Sequence, residues 1–206
     1  AVEFAKNYGV VLEVMSSFEV KPGTLVREEN KQMEQMIIRG IAADKNQAKV
    51  TLLSVPDTPG VAAKIFKALG NAKVNVDMIV QNVSAAGVTD ISFTVAKDDL
   101  NKTKRVVEPL VRDIRATGAN FSDDLAKVSL VGVGMKSHSG VAFKMFDVLA
   151  ANKINIEMIS TSEIKLSVVI LAKDTDRAVR ALHEAFGMGV RARQAKAAPK
   201  KKTARR

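Results

Sequence analysis

The residues of this chain that could do binding chemistry cluster around two short loops and the strands that follow them. Pro59-Gly60-Val61-Ala62 closes a loop and opens a predicted helix. The first N–H groups of a helix have no partner inside it, and with the helix dipole they favour an anion such as a carboxylate. Gly60 lets backbone approach closely, and Asp57, just upstream, can pair with an ammonium group. Asn75, Gln81, Asn155 and Ser162 supply neutral donors and acceptors along strand edges, and Glu163 adds a second anion. This donor set suits a small zwitterion with one carboxylate and one ammonium, such as a free amino acid. Taken singly, Asp57 and Asn75 read first as ordinary turn or cap residues, and the residues alone leave both readings open.

Other chemistries find little support. Cysteine is absent, which excludes disulfides and thiolate metal sites. His138 lies in a polar loop and His183 on an amphipathic helix, with no cluster of acids to make a metal site. Ser137 and His138 are neighbours in sequence, which is not triad geometry. Gly132 and Gly134 form a G-x-G without the third glycine or the surrounding unit that a nucleotide site needs. The methionines read as core filler. No apolar run approaches the ~18 residues of a membrane helix, and no signal peptide is visible at the start. The net charge is +10, but residues 191–206 (RARQAKAAPKKKTARR) carry eight Lys or Arg and no acid, leaving +2 on the body. That stretch reads as a disordered basic tail.

The elements that must position these residues occur twice. Residues 60–79 (GVAAKIFKALGNAKVNVDMI) and 140–159 (GVAFKMFDVLAANKINIEMI) match at an offset of 80, with Gly60/Gly140, Lys64/Lys144, Phe66/Phe146, Asn75/Asn155 and Met78/Met158 identical. Repeats of this length are structural units. Each copy begins with an apolar strand, Lys49–Val55 or Lys127–Val133. A loop follows (56–60 or 134–140), then a helix with Val61, Ile65, Phe66 and Leu69, or Val141, Met145, Phe146 and Leu149, on one face. Strands at 74–83 and 89–95, matched by 154–163 and 165–172, precede a second helix at 98–115 or 174–186. The order strand, helix, strand, strand, helix, strand is the ferredoxin-like α+β pattern.

The chain opens with a predicted helix at 1–8, stopped by Gly9, a strand at 10–16 and a Pro22-Gly23-Thr24 turn. A polar linker leads to a strand at 36–42. The first copy has a candidate fourth strand at 119–122 and the second has none. Strand 36–42 is therefore expected to fill the open edge of the second sheet, which inserts the first unit into the second. A local alternative adds it to the first unit instead. An RNA-recognition domain shares this strand order, but it needs exposed aromatics on the central strands, and here only Phe93 is aromatic.

The strings Ser54-Val55-Pro56-Asp57-Thr58-Pro59-Gly60, Gln81-Asn82-Val83-Ser84 and Ser160-Thr161-Ser162-Glu163 resemble the tandem ACT domains of bacterial aspartate kinases, over nearly the whole chain. The resemblance implies an allosteric region that binds end-product amino acids, threonine and/or lysine, and feeds back on aspartate phosphorylation in lysine, threonine and methionine biosynthesis. It implies an effector site drawn from Asp57, Pro59, Gly60, Val61 and Ala62; from Asn75, Val76, Asp77, Gln81 and Ser84; and from Val141, Ala142, Asn155, Ile156, Ser162 and Glu163. It further implies a cytoplasmic homodimer partnered by a kinase catalytic domain or α subunit, with no cofactor, membrane or specific nucleic acid. The expected division is a kinase-domain remnant at 1–30, a linker at 31–35, the first ACT domain at 44–124, the second at 36–43 plus 125–190, and the tail. A separate subunit of this kind normally begins near Met33 or Met36. This chain begins earlier, as expected of an excised regulatory fragment, and without a catalytic domain it is expected to be inactive alone. The alternative reading is an ACT pair serving another enzyme or a transcription regulator.

Overall fold

A computed structural model describes residues 2–18, 23–26, 38–82, 87–132 and 140–188. The chain divides into two units, residues 1–37 and 38–206.

In the first unit, α1 (Val2–Asn7) is stopped by Gly9 at φ 64°. Strands β1 (Leu12–Val14) and β2 (Thr24–Val26) pair antiparallel, with Leu12 opposite Val26. The expected strand at 10–16 is shorter than its apolar run, and Pro22 and the linker lie outside the described residues. Phe4, Tyr8, Val14, Phe18 and Leu25 are exposed on this unit.

The second unit is built on β3 (Gly40–Pro56) and β6 (Gly118–Val131), two strands far longer than expected. The remaining elements are α2 (Val61–Asn71), β4 (Val76–Gln81), β5 (Val88–Val95), α3 (Leu100–Asp113), α4 (Val141–Ala151), β7 (Met158–Thr161), β8 (Lys165–Leu171) and α5 (Thr175–Ala185). The strand order is β4-β5-β3-β6-β8-β7, antiparallel throughout. In β3, Gly40–Asp44 pairs with Lys127–Val131 of β6, and Lys49–Leu53 pairs with Gly118–Ser122. The leading part of β3 thus closes the second repeat's sheet, as expected of the spare strand, and the first repeat is inserted into the second. Met36 and Ile37 lie outside the described residues, while Ile38 and Ile41 pack against the second core.

Two pairs of expected strands are therefore each one continuous strand. The polar run Ala43–Ala48 reads as a break in sequence, but antiparallel pairing uses backbone groups that every residue carries. Irregular register between Asp44 and Lys49 absorbs the extra residues. The strands after α2 and α4 start later than expected. Lys73 (φ 54°) and Lys153 (φ 55°) are left-handed, and Val74 and Ile154 donate their N–H to Leu69 and Leu149 carbonyls, which closes the helices first. Strand β7 stops at Thr161, short of the expected Glu163, because Ser162 N–H turns back to the Lys165 carbonyl at 2.7 Å.

Each repeat has a core between its sheet and its two helices. Ile65, Leu69, Val107 and Leu110 meet Val50, Leu52, Ile91 and Phe93 in the first; Met145, Leu149, Ala178 and Leu182 meet Val128, Leu130, Val168 and Ile170 in the second. Phe93 is fully buried, edge-on to Phe66 at 5.8 Å, so it offers no face for stacking a base. A third cluster joins Met78 of β4 to Met158 of β7, with Leu125 and Val169. The two ends of the strand order therefore meet. No helix among the described residues is long and apolar enough to cross a membrane.

Candidate functional site

The two helix starts are built alike. Gly60 precedes α2 at φ 95° and Gly140 precedes α4 at φ 102°, a region that costs other residues ~1–2 kcal/mol. Both glycines accept the first helical bond, from Lys64 and Lys144 N–H at 2.9 Å. Neither start has a side-chain cap or an acid in its first turn. Val61 N–H donates to the Thr58 carbonyl at 3.3 Å, which leaves the N–H groups that follow it in the first turn of α2 as the donors available to an anion.

In the first repeat, Asp57 is exposed on the loop, anchored by its N–H to the Gly87 carbonyl at 3.0 Å. Thr89 Oγ1 donates to the Asn82 carbonyl, just past the end of β4. Pro56 lies opposite Val88, and Gln81 opposite Ile91. The structure therefore brings Asp57, Pro59, Gly60, Val61, Ala62 and exposed Gln81 to one end of the sheet. Asn75, Val76 and Asp77 sit at the other end of β4, where Val76 pairs with Val95. Six strand residues put the groups ~16 Å apart. Ser84 lies outside the described residues, as does the loop at 134–139 with Ser137 and His138.

The second repeat splits in the same way. Exposed Asn155 and half-buried Ile156 precede β7, and Ser162 and Glu163 follow it in the turn to β8. Val76 and Ile156 pack against the cores, and so does the Val141 side chain, which leaves those positions backbone groups to offer a ligand. Ala142 is exposed in the first turn of α4.

Sequence reasoning missed a set of charged contacts next to these residues. Lys49 Nζ meets Glu157 Oε2 at 2.6 Å, and Lys127 Nζ pairs with Asp77 Oδ2. Lys49 and Lys127 stand within β3 and β6, and each reaches an acid at the entry to the other repeat's edge strand: Glu157 just before β7, and Asp77 at the start of β4. Asn155 Nδ2 also donates to Glu157 Oε1, at 3.3 Å. The Lys49 hydrogen bond, aided by Coulomb attraction and Asn155 and opposed by partial burial, holds the Glu157 carboxyl below its ordinary pKa. The repeated Lys-Val opening of the two apolar strands was the one available signal. Among the described residues no group of His, Cys, Asp and Glu is arranged to hold a metal.

A family model described as the ACT domain matches this chain twice, over residues 53–109 and 128–186. An aspartate kinase of Pseudomonas fluorescens is 51% identical over 195 residues, which is 94% of this chain and 47% of that protein. The chain thus spans about half the length of the aspartate kinases it matches. Solved structures of aspartokinase alpha and beta subunits include a chain 49% identical, with a TM-score of 0.69, covering 73% of this chain and 99% of that one. The regulatory subunit of aspartate kinase from Thermus thermophilus, ligand-free, is 42% identical with the same TM-score and coverage.

Proposed function

The chain belongs to the ACT-domain family, as the tandem regulatory region of an aspartate kinase, and from that premise we propose that it binds threonine, with lysine as co-effector, and relays their abundance as feedback inhibition of aspartate phosphorylation. The observation that supports this reading is the pair of glycine-led helix starts without side-chain caps, one in each repeat, whose second strands, β4 and β7, end the strand order. The helix N–H groups take the effector carboxylate, and Asp57 takes its ammonium.

The split of the candidate residues supports a site completed by a second copy. If β4 of one chain runs antiparallel to β7 of another, the Asp57–Ala62 end of the first lies against the Asn155-Ile156 end of the second. The exposed Ile79, Val80 and Ile159 on those edges support such a pairing. The domain division proposed is the one expected from sequence, with a cytoplasmic setting. Residues 1–30 are then the closing piece of the catalytic domain, which would cover exposed Phe4, Tyr8 and Phe18, and the chain alone is inactive.

Titration calorimetry of the chain with threonine, lysine and methionine tests the reading. Threonine is expected to bind in the presence of lysine, and Asp57→Ala to weaken binding by about 1.5–3 kcal/mol, the range for a bond to a charged group. Absence of binding by either amino acid at millimolar concentration overturns it.

A further inference from the structure

The crossed ion pairs tie each repeat's edge strand to the opposite repeat. Lys49 sits on β3 where it pairs with Thr94 of the first repeat, yet its ammonium is held by Glu157 at the entry to β7. Lys127 sits on β6 where it pairs with Val169 of the second repeat, yet it holds Asp77 on β4. The two pairs occupy equivalent positions of the duplication and flank the cluster of Met78, Leu125, Met158 and Val169. The Lys49–Glu157 pair is half-buried, with side chains 20% and 30% exposed, while the Lys127–Asp77 pair joins a 15% exposed lysine to a carboxylate 38% exposed at the surface. Glu157 also accepts a hydrogen bond at 3.3 Å from the exposed Asn155 carboxamide, one of the groups offered to the effector.

We propose that Lys49 and Lys127 are positioning residues that act across the repeats: Lys49 sets the effector edge of the second repeat through Glu157 and Asn155, and Lys127 sets that of the first through Asp77. This rests on the effector reading above and adds a route by which the two edges of one chain respond together. An edge strand whose entry is held by the other repeat shifts only by stretching, breaking or re-aiming that ion pair, which favours the placement in which both strands keep it. An effector that favours one placement of β7 therefore favours one placement of β3, and through the twin pair of β4.

Amide hydrogen exchange of the full 206-residue chain, read without ligand, tests the crossing. Lys49→Met is expected to speed exchange at Glu157 and along β7 by at least about threefold, leaving β4 within about twofold of wild type. Lys127→Met is expected to do the reverse. Acceleration confined to the substituted residue's own repeat, equal in both, or absent from both overturns the proposal. The second readout is the Asn155 side-chain amide signal during titration with threonine plus lysine. Lys49→Met is expected to weaken that titration about fivefold, the lower end of ordinary coupling, while Lys49→Arg stays within about twofold of wild type. A titration unchanged in Lys49→Met overturns the positioning role. A wild-type chain that binds neither amino acid overturns the effector reading instead, and the exchange pattern still decides the crossed coupling.

Discussion

Glu157 accepts from Lys49 at 2.6 Å and from Asn155 at 3.3 Å, so a single carboxylate joins two repeats and a candidate effector contact. Its folded pKa lies below its ordinary value. The stability it contributes is present above the ordinary glutamate range and is lost as pH falls through the lowered folded value. Wild type is thus expected to exceed Glu157→Gln in denaturant midpoint at neutral pH. The gap should narrow as pH falls through and below the usual glutamate range. A gap constant across that window would show that Glu157 carries no such linkage. Asp57 differs in kind. Its backbone is anchored to Gly87 while its side chain stays exposed, so replacing it is expected to change binding with little effect on stability.

Among the elements, β7 and the turn after it show most directly where packing ends and binding surface begins. Met158 is buried, whereas Thr161, Ser162 and Glu163 are exposed. Ser162 donates to the Lys165 carbonyl through its N–H at 2.7 Å and its Oγ at 3.4 Å; a side-chain replacement keeps the short backbone bond and loses only the long, exposed one. Ser162→Phe is therefore expected to shift the melting temperature by less than about 4 °C, the effect of ~1 kcal/mol in a chain of this size. The same change is expected to abolish inhibition by lysine plus threonine when the chain is joined to its kinase, since a ring on this edge fills the cleft. Ser84→Phe, beyond the described residues, is expected to behave alike. Aspartate phosphorylation with and without effectors, run beside a melt, decides both. Retained inhibition would place the pocket elsewhere, and a collapsed melt would make the serines structural.

For the whole molecule, the stretches of β4 and β7 beyond their meeting point at Met78 and Met158 set the expectation. These two strands end the strand order of the second unit with Ile79 and Ile159 each about half exposed. Exposed apolar edges invite pairing with another chain. A symmetric homodimer is expected in sedimentation, with the first repeat of one chain beside the second repeat of its partner and effector tightening the association. Monomers at all concentrations, with and without threonine and lysine, would overturn it. The exposed apolar residues of the 1–37 unit belong to a different expectation, coverage by the remainder of a longer kinase.

Sequence by itself determined the duplication, the four helices of the repeats and the two cores, because apolar periodicity is a local property that survives without knowledge of partners. It also identified the glycine-led helix starts, since Gly60 and Gly140 stand at the same point of each copy. Only the tertiary structure decided that two pairs of expected strands are continuous, because the polar run after Ala42 gains its pairing from residues more than 70 positions away. It likewise separated Asp57 from Asn75 along the length of β4, although the two lie 18 apart in sequence. The crossed pairs were the least legible feature. Lys49 and Glu157 stand 108 residues apart and Lys127 and Asp77 stand 50 apart, and charge-to-charge matching at such separation leaves no local pattern. It arises when β3 and β6 run through both repeats and carry each lysine to the other's edge.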